Sequence, residues 1–278
     1  MRRVDPKVYT KEYYLKDCSG YELFNRTKGK RLEPRLKALV KKIPMKPAMR
    51  VLDIGCGRGE MVFWAAAKGA EATGIDYSKS AIDLAKKAQK KQKPVIKNNV
   101  KFGLGDAKKL EFPKNSFDMV FMIEVLEHLY PEEQEKIMKE IRRVLTKNGK
   151  LFIHTAPSKT FNDVAYPFWC YPMSTTLVGL SNLLFGSKYP NIASHREIRT
   201  KSHKAMHVNE PTYFSLKALF EKHGFSGSIR STNITVKKPE ISWKDKLFNS
   251  LVYFHPISNF PPFNIVWGND FWALLKKI

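Results

Sequence analysis

Cysteine is scarce in this sequence, with only three such residues among 278. Cys18, Cys56 and Cys170 lie far apart and form no CxxC pair, so neither a disulfide framework nor a structural zinc site is indicated. We therefore expect a reducing, cytoplasmic setting. The chain also lacks the roughly 20 consecutive apolar residues of a membrane-spanning helix, and its first residues are charged. The sequence predicts a soluble or peripherally membrane-associated protein.

Acidic residues are few compared with basic ones. The chain has 26 Asp and Glu residues and 49 Lys and Arg residues, which gives a formal net charge of +23. Such an excess favours anionic partners, either nucleic acid or an acidic membrane surface. The alternative is that lysines simply cover solvated helix faces, and composition leaves both interpretations open. With 43% hydrophobic residues, the chain has enough apolar material for one large domain with a packed core.

Apolar runs alternate with helical patterns from residue 49 onward. Strands are predicted at 49–54, 71–76, 100–104, 117–123, 150–155, 228–236 and 265–275. Helices are predicted at 60–68, 79–90, 131–145 and 210–223. Ser78 is a candidate N-cap for the second helix. The alternation predicts a parallel sheet with helices on both faces, in which the carboxyl ends of the strands share one edge.

We expect a single domain, 1–278, with four segments. Residues 1–48 are predicted to form a helical cap, 49–156 a ligand-binding core, 157–206 an aromatic and basic lid insertion, and 207–278 a helix and strands. The insertion mixes aromatic residues with Lys and Arg. This composition suits an interfacial membrane contact or base stacking, and also a lid with a small core of its own.

A glycine-rich turn follows the first predicted strand, within residues 51–60 (VLDIGCGRGE). Gly55 and Gly57 have no Cβ, so the backbone can turn sharply there and approach a bulky ligand closely. Helix N-terminal amides can then face a carboxylate of that ligand. Asp76 ends the second strand about twenty residues after the turn, which is where a carboxylate binds a ribose diol in Rossmann folds.

Together with two later motifs, this turn resembles the first motif of class I S-adenosylmethionine (SAM)-dependent methyltransferases. Residues 105–107 resemble the family's adenine-recognition turn, and residues 117–124 resemble its fourth-strand motif beside the transferring methyl group. A nicotinamide-binding domain is the alternative that a lone glycine turn would leave open. The chain is most similar to the ubiquinone-biosynthesis-like (methyltransferase type 11) group.

The resemblance implies a Rossmann-like α/β fold with SAM as its cofactor. The expected sheet has seven strands in the order 3-2-1-4-5-7-6, with the last strand antiparallel and helices on both faces. Relatives place an N-terminal helix over the cofactor, which suggests Tyr14. The residues expected to bind the cofactor are Asp53, Gly55, Cys56, Gly57, Asp76, Tyr77, Asp106, Ala107, Glu124 and Tyr14.

Glu124, Glu127 and His128 form the densest group of catalytic and metal-binding candidates. If this stretch is helical, the three side chains share one face, and such a set suits a divalent ion such as Mg²⁺. The ExxEH spacing resembles metal-using ubiquinone-pathway catechol O-methyltransferases and small-RNA 3′-terminal ribose methyltransferases. The alternative is that His128 orients substrate without a metal. His207 is a further candidate, whereas His154, inside a predicted strand, is expected to be a packed core residue.

These features predict an enzyme that O-methylates a small-molecule or lipid-linked acceptor, such as a quinone-like ring, a polyprenyl-linked compound or a sugar hydroxyl. RNA ribose 2′-O-methylation is an alternative that the positive charge favours. A non-catalytic cofactor-binding scaffold is a third hypothesis. The tetrapeptide Asp/Asn-Pro-Pro-Tyr/Phe of amine-directed base methyltransferases is missing from the sequence.

Overall fold

A seven-stranded mixed sheet organises the computed structural model, which describes residues 4–190, 193–194, 206–233 and 242–278. The strands are β1 (Arg50–Ile54), β2 (Glu71–Asp76), β3 (Val100–Leu104), β4 (Phe117–Ile123), β5 (Leu145–Thr155), β6 (Phe225–Thr232) and β7 (Asp270–Lys277). Their order is β3-β2-β1-β4-β5-β7-β6. Strands β1 to β5 are parallel, and β7 is antiparallel to both of its neighbours. The fold and strand order expected from the resemblance are confirmed.

Helices flank this sheet and precede it. They are α1 (Tyr21–Thr27), α2 (Pro34–Val40), α3 (Glu60–Ala67), α4 (Lys79–Gln89), α5 (Pro94–Lys97), α6 (Pro131–Val144), α7 (Tyr171–Phe185), α8 (Tyr213–Lys222), α9 (Trp243–Tyr253) and α10 (Phe263–Trp267). Short 3-10 helices span Pro6–Val8, Leu126–His128 and Ile257–Asn259, and π-helices span Tyr13–Asp17 and Phe161–Cys170. Ser78 caps α4 as predicted, because its Oγ accepts a hydrogen bond from the Ala81 amide at 3.3 Å.

The hydrophobic core has two layers, one on each face of the sheet. On one face, Val51 and Phe121 of the central strands pack with Phe63 of α3. On the other, Leu52 of β1 packs with Ile141 of α6. Parallel strands covered on both faces must be apolar at almost every position, which explains the continuous apolar runs in the sequence.

The last third of the chain departs from the predicted boundaries. The strand predicted at 265–275 is β7 at Asp270–Lys277, and α10 occupies the first part of that range. The strand predicted at 228–236 is β6 at Phe225–Thr232, and residues 234–236 lie outside the described part. Helix α8 begins at Tyr213 rather than at 210, because Thr212 is its N-cap and accepts from the Ser215 amide at 3.1 Å.

The described part of the lid insertion packs against α9 and α10. Phe161, Tyr166 and Cys170 of the insertion are buried with Val252 of α9. This segment therefore has a small core of its own, one of the alternatives that the sequence left open. His195 and His203 lie outside the described residues. Within the described ranges, no helix is long and apolar enough to cross a membrane.

Candidate active site

A cavity of about 240 Å³ lies at the carboxyl edge of β1, β2 and β4, beneath the N-terminal cap. Every residue expected to bind the cofactor lines it: Tyr14, Asp53, Gly55, Cys56, Gly57, Asp76, Tyr77, Asp106, Ala107 and Glu124. His128 lines it too, whereas Glu127 and His207, which lie close to His128, are outside the lining. Residues separated by more than a hundred positions thus meet at one edge, as parallel topology requires.

The glycine turn is bound to the end of β2 by backbone and side-chain hydrogen bonds. The Gly57 amide donates to Asp76 Oδ2 at 3.0 Å, and the Ser78 amide donates to Asp76 Oδ1 at 2.8 Å. Position 59 requires glycine for two reasons. Its φ of 88° lies in the left-handed region, and a Cβ there would lie 2.7 Å from Cζ of Phe102. The Asp76 carboxylate therefore joins the turn to the start of α4.

Acidic side chains are concentrated around the cavity. Asp53 and Asp76 are buried, with 3% and 5% of their surfaces exposed. Burial raises the pKa of Asp53 well above its usual value, and the charges of Asp76 and Glu60 raise it further. Burial also raises the pKa of Asp76, although the amides of Ser78 and Gly57 oppose that effect. A positively charged ligand would stabilise the ionised forms of both carboxylates.

Arg58, within the glycine turn, binds the N-terminal cap. Its Nη1 donates to the Tyr14 carbonyl at 2.9 Å, and its Nη2 donates to the Ser19 carbonyl at 2.7 Å and pairs with Glu60 at 2.9 Å. The cap is thereby held so that the buried Tyr14 ring lies against Gly57. The sequence analysis missed this role of Arg58, and the only available signal was its position between two glycines of the turn.

Tyr9, in the N-terminal cap, is a second residue that the sequence analysis missed. Its carbonyl accepts a hydrogen bond from Ser78 Oγ at 2.9 Å, and its hydroxyl lies 3.1 Å from Nδ1 of His128. Its ring packs edge-on against Tyr77, with the ring centroids 5.4 Å apart. Tyr9 therefore connects the cofactor side of the cavity to His128.

Glu124 does not share a helical face with Glu127 and His128, so that prediction is wrong. Glu124 leaves β4 with a φ of 56°, in the left-handed region, and only Leu126–His128 form a short 3-10 helix. Its Oε1 pairs with Arg35 of the cap and lies 3.4 Å from Nδ1 of His154. Among the described residues, the group with metal-ligand spacing is Glu127, His128 and His207, and Glu124 lies outside it.

His154 is buried as expected, but it lies between two carboxylates rather than among apolar side chains alone. Its Nδ1 is 3.4 Å from Glu124 and its Nε2 is 3.6 Å from Asp270 of β7, distances typical of ion pairs. Burial alone would lower the pKa of His154, but Asp270 and Glu124 outweigh burial and raise it to about 9. Burial alone would raise the pKa of Glu124, but Arg35 and His154 hold it at about 2. A row of alternating charges therefore runs from the cap across β4 and β5 to β7.

Glu127, His128 and His207 form a compact group beside the cavity. One ligand atom from each lies within 4.8 Å of the others, and the two imidazole rings are 4.9 Å apart. Glu127 is 1% exposed and accepts a hydrogen bond from Thr155 Oγ1 at 2.9 Å. Burial raises the pKa of Glu127 to about 8, and the charge of Glu124 contributes to this rise.

The end of the lid insertion brings His207 to this group. The Asn209 amide donates to the Glu127 carbonyl at 3.2 Å, and the Met206 carbonyl lies 3.0 Å from Nδ1 of His128. Because a carbonyl oxygen only accepts, a neutral His128 ring that donates to Met206 carries its proton on Nδ1 and has Nε2 as its basic nitrogen.

Comparison with known proteins gives matches over the core of the chain. Residues 52–153 match a family model described as a methyltransferase domain. Methyltransferase GfsG of Streptomyces halstedii is 30% identical over 135 residues, which are 48% of this chain and 47% of that protein. Ubiquinone biosynthesis O-methyltransferase of Coxiella burnetii is 35% identical over 121 residues, which are 44% of this chain and 49% of that protein. The chain thus spans about half the length of these curated relatives.

A solved structure extends the likeness over nearly the whole chain. Phosphoethanolamine N-methyltransferase 2 of Haemonchus contortus, in complex with SAM, is 20% identical with a TM-score of 0.58. The likeness covers 97% of this chain and 60% of that protein, and at this identity it concerns the fold alone. The glycine turn, the strand order and the family match agree with one another. Residues 52–153 are a class I SAM-dependent methyltransferase domain.

Proposed function

We propose that the chain transfers the methyl group of SAM to a hydroxyl oxygen of a small-molecule or lipid-linked acceptor. The observation that carries this proposal is the juxtaposition of an acid-lined cavity with the Glu127, His128 and His207 group. The O-methyltransferase among the relatives supports an oxygen acceptor. Relatives and neighbours also include a sterol 24-C-methyltransferase and an N-methyltransferase, so the acceptor atom has to be argued from the site.

The cavity suits SAM because its walls are acidic in a chain that is otherwise strongly basic. SAM supplies an electrophilic methyl group on a positively charged sulfur and carries an ammonium group as well. Asp53 would hold that ammonium group, directly or through water. Each oxygen of Asp76 already accepts one amide and has a second lone pair, so both could accept ribose hydroxyls. Asp106 and Ala107 would flank the adenine, and Tyr14 would cover the ligand.

An acceptor hydroxyl must lose its proton during the transfer, and His128 is placed to take it. Methyl transfer is an in-line displacement, so the site contributes chiefly by holding the two reactants in line. His128 lines the cavity and its Nε2 is the basic nitrogen, while Tyr9 and Met206 orient the ring through Nδ1. Burial raises the pKa of the neighbouring Glu127 to about 8, so only above that pH would its carboxylate be ionised and able to stabilise the imidazolium.

The same three side chains could hold a divalent ion. One carboxylate and two imidazoles with their ligand atoms within 4.8 Å form a plausible open site. Imidazole donors suit Zn²⁺ or Fe²⁺ better than Mg²⁺, so we favour a first-row transition ion over the Mg²⁺ expected from two carboxylates. Such an ion would make a bound hydroxyl more acidic. Activity that survives exhaustive chelation unchanged would exclude this part of the proposal.

The decisive experiment follows a labelled methyl group from SAM into a fractionated lysate. We expect label in small molecules or extractable lipids, with the His128→Gln variant binding SAM normally but transferring much less label. Asp83, an exposed residue of α4 paired with Lys79, provides the control variant Asp83→Ala, which should transfer label as the unmodified protein does. Label in RNA would instead support the ribose methyltransferase that the net charge of +23 favours. Tight SAM binding without any transfer would support a scaffold.

A further inference from the structure

Helix α7 of the lid insertion and helix α9, which packs against it, expose apolar side chains to solvent. We define the lid tip as Leu180, Leu183, Leu184 and Phe185 of α7 together with Trp243, Leu247 and Leu251 of α9. Leu183 and Phe185 are each 80% exposed, and Trp243 is 69% exposed. Single exposed apolar residues are ordinary, but contiguous exposed stripes mark interaction surfaces in soluble domains.

Each of the two helices is apolar on both of its faces. In α7, Ser174 and Val178 are buried on one face, while Leu180, Leu183 and Leu184 occupy the opposite face. In α9, Val252 is buried while the stripe from Trp243 to Leu251 recurs every four residues on the other side. The buried faces account for the folding of the lid, and the exposed faces are left for another partner.

The exposed stripes run toward one end of the lid. Trp169, just before α7, donates its indole N–H to the Leu251 carbonyl at 2.9 Å and packs on Phe254, just after α9. Since α7 and α9 pack against each other, they run antiparallel from this point. Phe185 and Trp243 therefore lie at the distal end, farthest from that junction.

Basic residues flank the distal end. Lys188 follows α7, and Lys244 and Lys246 lie on either side of Asp245. Asp245 is engaged at the helix terminus, where its carboxylate accepts from the Ser242 amide at 2.8 Å. An apolar surface bordered by positive charge results.

We propose that the lid tip docks onto an anionic lipid bilayer. Its Leu, Phe and Trp side chains would enter the boundary between headgroups and acyl chains, and the flanking lysines would contact acidic headgroups. A second copy of the chain is a poorer partner, because two surfaces of a protein with a net charge of +23 repel each other. The aliphatic stripes also offer few rings on which nucleic-acid bases could stack.

This docking bears on the candidate active site through the chain that carries α7. After the lid insertion, Met206 and His207 contact His128. An acceptor with a lipid tail could therefore remain partly in the membrane while its hydroxyl reaches His128. Only this consequence rests on the proposed function, because docking itself requires no methyl transfer.

Vesicle sedimentation with the full chain tests the proposal. We expect binding to vesicles of phosphatidylcholine with about one-third phosphatidylglycerol, weaker binding to phosphatidylcholine alone, and loss of binding at high salt. The double variant Leu183→Glu with Phe185→Glu should bind at least about tenfold more weakly, since two interfacial apolar side chains are lost. Because both positions are exposed, the variant should fold normally and bind SAM like the unmodified protein.

The control is Val95→Glu, which changes an equally apolar side chain, 66% exposed, on α5. Helix α5 precedes β3, at the edge of the sheet opposite β6, so this variant should bind vesicles like the unmodified protein. The proposal is overturned if the chain does not bind anionic vesicles, or if the double variant binds them undiminished. Light scattering could instead show that the unmodified protein is a dimer and that the double variant is a monomer. If the double variant still binds vesicles, the lid tip is the interface with a second copy of the chain. SAM binding measured in parallel reports on the proposed function separately.

Discussion

Replacement of Arg58 by methionine should release the N-terminal cap and destabilise the fold. Arg58 is 5% exposed and contacts the carbonyls of Tyr14 and Ser19 as well as the carboxylate of Glu60. Methionine keeps the length of the apolar stem but removes every donor. The buried Tyr14 and Glu60 then lose these contacts, and so does Ser19, whose hydrogen bond is partly buried.

The size of the effect follows from those three contacts. Breaking a buried ion pair by removing one member costs about 3–5 kcal/mol, and a hydrogen bond from a charged donor contributes about 1.5–3 kcal/mol. The two contributions overlap, because Glu60 can bind a proton once Arg58 is gone: burial raises its pKa, and Arg58 opposes that rise. We therefore expect the free energy of unfolding to fall by about 3–5 kcal/mol.

Urea unfolding followed by tryptophan fluorescence measures this difference, with Arg50→Met as the matched control. Arg50 also pairs with a carboxylate, Asp118 at 3.1 Å, but the two side chains are 46% and 32% exposed. Solvent-exposed pairs contribute less than about 1 kcal/mol, so the control should be nearly neutral. Equal losses in the two variants, or a loss below about 1 kcal/mol at Arg58, would refute the reasoning. Faster tryptic cleavage before residue 49 in the Arg58 variant alone would show that the cap is what Arg58 holds.

Three further predictions concern the cavity and the buried histidine. Asp76→Ala should weaken SAM binding in calorimetry by about 1.5–3 kcal/mol, whereas Asp83→Ala should not; equal affinities would mean that Asp76 does not bind the ribose. Gly59→Ala should lower the free energy of unfolding by about 1–3 kcal/mol in urea titrations, because of its positive φ and the contact with Phe102; a neutral result would contradict the strain argument. The raised pKa of His154 means that its imidazolium stabilises the fold fully below its ordinary pKa of 6.5, and that this stability disappears as the pH rises through about 9. His154→Asn should abolish this pH dependence of the free energy of unfolding. If the variant and the unmodified protein show the same pH dependence across this window, the His154 ring is neutral.

The core of the fold was predictable because its determinants are local. Buried parallel strands are continuous apolar runs, and the glycines after β1 and Ser78 before α4 mark the turns chemically. The edge that the strands share then brings Asp53, Asp76 and Glu124 to one cavity without any knowledge of packing.

The polar contacts that shape the site could not be predicted, because their partners are distant in sequence. Arg35 and Asp270 meet Glu124 and His154 only after the cap and β7 have joined the sheet. The apolar pattern of strand β5 correctly predicts that His154 is buried. The pattern does not reveal that two carboxylates lie beside the His154 ring.

Glu124 shows a different limit of sequence patterns. Its spacing to Glu127 and His128 matches a helical face, yet the backbone at Glu124 adopts a left-handed φ, which no periodicity reveals. The sequence offered His207 as a candidate only because an imidazole can bind a metal ion. In the structure, the chain that follows the lid insertion places His207 next to Glu127 and His128.

The position of β7 between β5 and β6 has a consequence for synthesis of the protein on the ribosome. Lys150 of β5 pairs with Lys276, so this half of the sheet cannot close until residue 276 has emerged. Until then, β6 has no strand to pair with and the open edge of β5 is a template for misplaced pairing. Contacts between residues so far apart in sequence also form slowly, because a long loop must close first. The sheet should therefore be completed only after β7 has been synthesised, and protection of β5 and β6 amides from exchange should appear together and late in refolding.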